Sequence, residues 1–259
     1  MKNFFLPIVL LIFLMTGCGN ESASRDKLII GIDENYAPMA FHDDKGILVG
    51  FDIDLARETA QRMDIEIEFK PIDWDKKREE ITSGNVDMIW NGLDINAKRK
   101  EYMTFSKPYM ANRQIFLVKT GNDQGIVAEG DLEGKIVGTQ AGASPENYIN
   151  ANEKLRNSLR EFKTYPNFRE AFKALDSGEI EVLICGELTA RYEISKIPGK
   201  FEVIEVTVGP VWEIGIGFRK DDTKLRDRVQ AAFDEIVEDG TAREISEKWF
   251  QADLINYKR

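Results

Sequence analysis

A helix-to-strand unit that occurs twice constrains this chain more than any other feature. The stretch DWDKKREEITSGNVDMIWNGLDINAKRKEYMTFSKPY (73–109) has a shortened counterpart in NFREAFKALDSGEIEVLICGE (167–187). In each copy a segment of helical period, carried by Ile81 in the first and by Phe168, Phe172 and Leu175 in the second, stops at Ser-Gly. Glycine at Gly84 and Gly178 can take the left-handed conformation that ends a helix. A short apolar run follows, Val86, Met88 and Ile89 in one copy and Ile180, Val182, Leu183 and Ile184 in the other, as in strands covered on both faces. Each run ends in glycine or polar residues, Asn91-Gly92-Leu93-Asp94 and Gly186-Glu187. Two α/β halves are therefore expected. Ligands of open α/β sheets sit beyond the carboxyl ends of the strands, so two such halves facing each other would enclose a small molecule.

The N-terminus suggests where that crevice works. Lys2 precedes an apolar run (4–14) too short to span a bilayer, followed by Thr16 and Gly17 directly before Cys18. The Met15-Thr16-Gly17-Cys18 segment resembles the bacterial lipobox, with Met15 where an aliphatic residue is usual. That implies a signal peptide over residues 1–17, a lipid on Cys18, and a polar tether over residues 18–27 leading to a domain on the extracytoplasmic face of the cell membrane. The second of the two cysteines, Cys185, lies in an apolar strand end and reads as a small buried hydrophobe. The remaining chain is long enough for two domains of about 100 residues each. Its net charge of −10 is spread through helices of mixed sign, which argues against nucleic acid or anionic lipid as partners.

Residues 27–32 read as a first strand, and Asp33 to Pro38 as a loop at its carboxyl end that reaches the crevice. A helix follows Gly50, with Asp52 as its N-cap and Ile53, Ala56, Ala60 and Met63 on its buried face. Alternation over residues 65–69 adds a strand parallel to the first, and Asp73-Trp74-Asp75 forms the next turn. Further on, strands are expected at 115–118 and 135–139, with a turn-rich stretch (121–130) between them. The second strand leads into Gln140-Ala141-Gly142-Ala143-Ser144-Pro145, where Ser144 suits an N-cap and Pro145 the first helical position. The amino end of that helix would favour a ligand carboxylate. It lacks the Gly-Lys-Ser/Thr ending of a phosphate-binding loop. A strand at 215–220 and helices at 224–239 and 242–250 complete the chain.

Taken together, GFDIDLA, the DWD turn, SGNVDMIWNGL, KRKEYMTFSKPYM, GKIVGTQAG, GIGFRK and DGTAREISEKWF resemble the polar amino-acid-binding proteins of bacterial ABC importers, extracellular solute-binding family 3. The resemblance runs in order from Leu28 to Phe250. It implies a two-lobed, periplasmic-binding-protein-like (type II) α/β fold with a double crossover hinge near residues 111–114 and 209–215. The first lobe would comprise residues 28–112 and 213–259, and the second residues 113–212. It further implies a monomer without cofactor or metal, whose partners are an amino acid, an ABC permease and its ATPase, with the lipid as sole membrane attachment.

Residue by residue, the resemblance makes Arg99 the grip on the ligand carboxylate, which suits the fixed fork of a guanidinium. Asn91, Gly92 and Asp94 fall at the strand end facing the ammonium group, and Gln140, Ala143 and Ser144 at the second-lobe turn. Asp33 and Tyr36 match first-loop contacts, and Trp74 the wall beside the ligand side chain. Two departures stand out. Where the family carries an acid for the ammonium group, this chain has Gly186 followed by Glu187, and Asp94 replaces a usual serine or threonine. Either Asp94 supplies the missing counter-charge, or it pairs with Arg99 and weakens the carboxylate grip. The acids and Trp74 lean toward a polar or cationic ligand. Rival readings are a ligand sensor without transport, or an enzyme like the cyclohexadienyl dehydratases on this fold, with Glu187 as general acid. No nucleophile-base pair is evident, and the lone histidine, His42, reads as a surface residue.

Overall fold

The structure, a computed structural model, describes residues 27–122 and 125–256; the signal segment and Cys18 lie outside the described residues. Two five-stranded sheets share one plan. The first has the order Glu66–Pro71, Lys27–Ile32, Met88–Ile89, Gly217–Arg219, Met103–Phe105, and the second Glu161–Tyr165, Ile136–Gln140, Val182–Gly186, Met110–Lys119, Phe201–Ile214. In each, the first three strands are parallel and the last two are joined by antiparallel pairing. The two copies of the repeated unit thus supply equivalent strands, Met88–Ile89 and Val182–Gly186. A small antiparallel sheet, Asn35–Tyr36, Ala40–His42 and Leu48–Val49, adds to the first lobe beyond the loop read from the sequence.

The chain passes between the lobes on the long strands Met110–Lys119 and Phe201–Ile214, paired antiparallel with Asn112 opposite Trp212 and Met110 opposite Ile214. The second passage returns the C-terminal segment to the first lobe. There Phe233, on the helix Thr223–Glu238, packs against Trp90 and Tyr109 with ring centroids 5.8 and 5.6 Å away. Phe250, at the end of Thr241–Phe250, meets Phe51 at 5.0 Å. The helix Phe168–Ser177 ends on left-handed Gly178, as its Ser-Gly signal predicts.

Two expected caps are corrected. Helix Phe51–Arg62 has Gly50 as its N-cap, so Asp52 lies inside the first turn and points into the core. Its Oδ1 accepts from the Tyr109 hydroxyl at 2.7 Å and its Oδ2 from the Gly92 N–H at 2.5 Å. Helix Ser144–Ala151 likewise starts after Ala143, one residue earlier than expected, and the Ser144 hydroxyl makes no cap bond. An acid or hydroxyl within a first turn has one sequence signature whether it caps its own helix or serves a neighbouring segment.

Candidate functional site

Beyond the carboxyl ends of both sheets the two lobes meet around a small, partly open cavity. The first lobe lines it with Asp33, Tyr36, Trp74, Gly92, Asp94 and Arg99, and the second with Gln140, Ala143 and Ser144 among others. Arg99 is set by a short helix, Ala97–Lys100, whose Asn96 cap accepts from the Arg99 N–H at 2.9 Å. Arg99 as a whole is 3% exposed. Nη1 donates to the Asp94 carbonyl at 2.8 Å, and Nη2 reaches the Gly142 carbonyl of the other lobe at 3.4 Å.

The Asp94 carboxylate stands 3.9 Å from Arg99 Nη1, a loose ion pair, and its Oδ1 has no hydrogen-bond partner. Burial raises its pKa above the ordinary carboxylate value, opposed by the Arg99 charge, the Ser144 hydroxyl and Lys77. Leaving a buried carboxylate oxygen unsatisfied is costly, so this oxygen is an acceptor set for an incoming donor. The buried Ser144 hydroxyl stands beside this carboxylate from the opposite lobe, outside hydrogen-bonding geometry.

Gly92 holds φ +56, and a Cβ there would lie 2.8 Å from the Tyr36 ring, so the strand end cannot carry a side chain. Asp52 braces this loop from behind. Burial pushes the Asp52 pKa up to about 7, against the hydrogen bonds from Tyr109 and Gly92. A carboxyl whose pKa is raised on folding binds more protons in the folded state, so stability contributed by protonated Asp52 is lost as pH rises from about 4 to about 7. Urea denaturation at stepped pH is expected to show this fall in wild type and to lose that component in Asp52→Asn.

Opposite Gly92, the Asp33 carboxylate accepts from Gln140 Nε2 at 2.5 Å, joining the two lobes directly. Burial raises its pKa, while Asn35 and Gln140 oppose that rise. Tyr36 stacks on Phe168 across the same seam with centroids 5.5 Å apart. Trp74 forms part of the wall and is itself buried.

Two expected site residues lie elsewhere. Asn91 sits behind the cavity wall, where its Oδ1 accepts from the Asp33 N–H at 3.1 Å. Glu187 turns away from the cavity: its carboxylate accepts from Arg113 Nε at 2.5 Å and Arg191 Nε at 2.8 Å. The Arg113 bond, followed by that of Arg191, holds its pKa at about 2, far from a general acid near neutrality. A Cβ added at Gly186 would lie 2.4 Å from Asn112 Nδ2, so an acid there requires that amide to move. His42 is exposed and bonded to Gly46 O and Glu34, and Cys185 is fully buried away from the cavity.

The sequence reading omitted Gln114, Pro145 and Phe168, which also line the cavity. Gln114 had a signal, a polar residue directly before the apolar run Ile115-Phe116-Leu117-Val118; Phe168 had none, because its helix position reads as core. A larger open groove at the lobe edge, lined by Phe41, Tyr192, Lys196 and Trp249, lacks such a set of converging buried charges. Among the described residues, no group of three or more His, Cys, Asp or Glu could hold a metal ion, and no helix is long and apolar enough to cross a membrane.

Comparison with known proteins places this geometry in context. The profile of the bacterial extracellular solute-binding proteins, family 3, matches residues 28–252. The chain is 30% identical over 242 residues to the L-cystine-binding protein TcyJ of Escherichia coli (strain K12), covering 93% of this chain and 89% of TcyJ. It is 31% identical over 257 residues to the lysine/arginine/ornithine-binding periplasmic protein of the same organism, covering 96% and 97%. A crystal structure of an ABC uptake transporter substrate-binding protein from Streptococcus pneumoniae with bound histidine superposes with a TM-score of 0.84 at 35% identity, covering 90% of this chain and 95% of that one.

Proposed function

From membership of the bacterial extracellular solute-binding proteins, family 3, to which this chain belongs, we propose that it captures an amino acid in the interlobe cavity and delivers it to an ABC permease driven by its ATPase. The observation that carries the reading is the buried Asp94 oxygen without a partner beside the Arg99 guanidinium. A zwitterion matches both: its carboxylate takes the guanidinium and its ammonium takes Asp94 Oδ1. Gly92, Ala143 and Ser144 offer backbone and hydroxyl groups to the same two ends. Asp33, Gln140, Tyr36 and Trp74 surround the side chain, a setting that suits a polar or cationic one. Relatives that bind lysine, arginine, ornithine and cystine point the same way.

Capture proceeds by closure of a first lobe (28–112 and 213–259) on a second (113–212), a population shift driven by contacts available only when both lobes meet the ligand. No cofactor takes part. A lipid on Cys18 would hold the protein, as a monomer, at the extracytoplasmic face of the membrane.

Refolded protein freed of bound ligand is to be screened by thermal shift against the common amino acids, cystine and prephenate. One clear amino-acid response supports capture; silence there with a response to prephenate favours the dehydratase-like alternative. With the ligand in hand, Asp94→Asn is expected to weaken binding roughly 10- to 100-fold, the worth of a hydrogen bond to a charged group. Unchanged affinity by calorimetry would assign the ammonium counter-charge elsewhere.

A further inference from the structure

Lys77, at the start of the helix Lys77–Thr82, is only 5% exposed, and its Nζ lies 5.1 Å from the centroid of the Trp74 ring. Its two hydrogen bonds both go to backbone carbonyls, Trp74 O of its own lobe at 2.6 Å and Gly142 O of the other at 2.8 Å. Gly142 is held at φ +71, and a Cβ there would lie 2.7 Å from Lys77 Nζ and 2.8 Å from the Asp75 Cα. The turn therefore meets the first lobe with no room for a side chain. Its own N–H is fixed by Glu146 Oε2 at 2.6 Å, and Lys98 spans the same seam to Asn147 Oδ1 at 2.7 Å.

Resting on the reading of the cavity as an amino-acid site, we propose that Lys77 is a positioning residue for capture: it touches no ligand atom but latches the closed lobes by donating to the Gly142 carbonyl. The bond joins residues 65 apart in sequence and exists only while the lobes are together. The charged groups around it are Arg99 and Lys98 from Ala97–Lys100, Asp75 from its own turn, Glu146 from Ser144–Ala151, and Asp94. Burial first and Arg99 second bring its pKa down to about 7, with Asp75 and Glu146 opposing. Opening returns the amine to water and to its ordinary value. Closure therefore sheds a proton above about pH 7, and ligand affinity rises with pH there.

The test uses the mature protein with L-arginine, L-histidine and L-cystine as probes. Calorimetry is expected to show Lys77→Met weakening the best of them about tenfold or more. Wild-type affinity should tighten up to about tenfold from about pH 6 to about pH 8, and Lys77→Met should lose that component. Small-angle scattering of Lys77→Met with saturating probe should show a larger radius of gyration than wild type. Wild-type affinity, pH profile and radius in Lys77→Met overturn the latch. If no probe binds wild type, the amino-acid reading fails and the latch that rests on it is overturned with it, whereas tight binding by wild type with unchanged affinity in Lys77→Met overturns the latch alone. Should Lys77→Met not fold, Gly142→Ala, which keeps the lysine but blocks the docked turn, is expected to weaken binding likewise; unchanged affinity overturns the proposal.

Discussion

Arg99→Lys is expected to weaken amino-acid binding by about 30-fold to several thousand-fold, corresponding to roughly 2–5 kcal/mol for disrupting a buried, hydrogen-bonded charge pair. The charge survives this substitution, so the effect isolates geometry. A guanidinium binds the Asp94 carbonyl with one nitrogen while directing others at Gly142 and the cavity. An ammonium is a single point donor and cannot hold these directions at once. It can also draw in the Asp94 carboxylate, now only loosely held at 3.9 Å, and so consume the counter-charge intended for the ligand. Titration calorimetry measures the loss, and thermal unfolding should show the variant still folded. Affinity within threefold of wild type would remove Arg99 from the carboxylate grip.

Phe233→Ala is expected to cost about 3–5 kcal/mol of stability, the usual range for deleting a buried aromatic ring. The ring is 1% exposed and packs at once against Trp90, at the end of a site strand, and Tyr109, at the start of the passage between lobes. Few residues near it can collapse into the space, because Tyr109 is tied by its hydroxyl to Asp52. For a protein of this size the loss corresponds to a fall in Tm of about 6–20 °C. Since Asp52 also holds the Gly92 N–H, loosening this aromatic group should weaken binding too, and saturating ligand should recover part of the Tm. A fall of less than about 2 °C would mean that Trp90 and Tyr109 repack without it.

The fold was legible to the extent that local pattern sets it. The Ser-Gly stop before Ile180 predicts left-handed Gly178, and the apolar runs after each Ser-Gly predict two equivalent strands. The loops after the strands Lys27–Ile32 and Met88–Ile89 predict where Asp33, Gly92 and Asp94 converge. Other assignments needed partners far away in the chain. Asp52 reads as a cap because an acid in a first helical turn stabilises its own helix, yet its bonds go to residues 40 and 57 positions later. Glu187 reads as a cavity acid because it follows the strand, yet Arg113, 74 residues earlier, turns it away.

Local sequence alone therefore determined the repeated α/β units, their glycine stops and the strand ends on which a site is built, because helix and strand periodicity and glycine's backbone freedom act over a few residues. Tertiary structure decided which charges are buried. Lys77 stands in the charged run DWDKKREE, and the approach of Gly142 from the other lobe helps to remove it from water and gives its amine a second carbonyl to hold. The cost of burying a charge depends on what surrounds it in space, and that is set by segments distant in the chain.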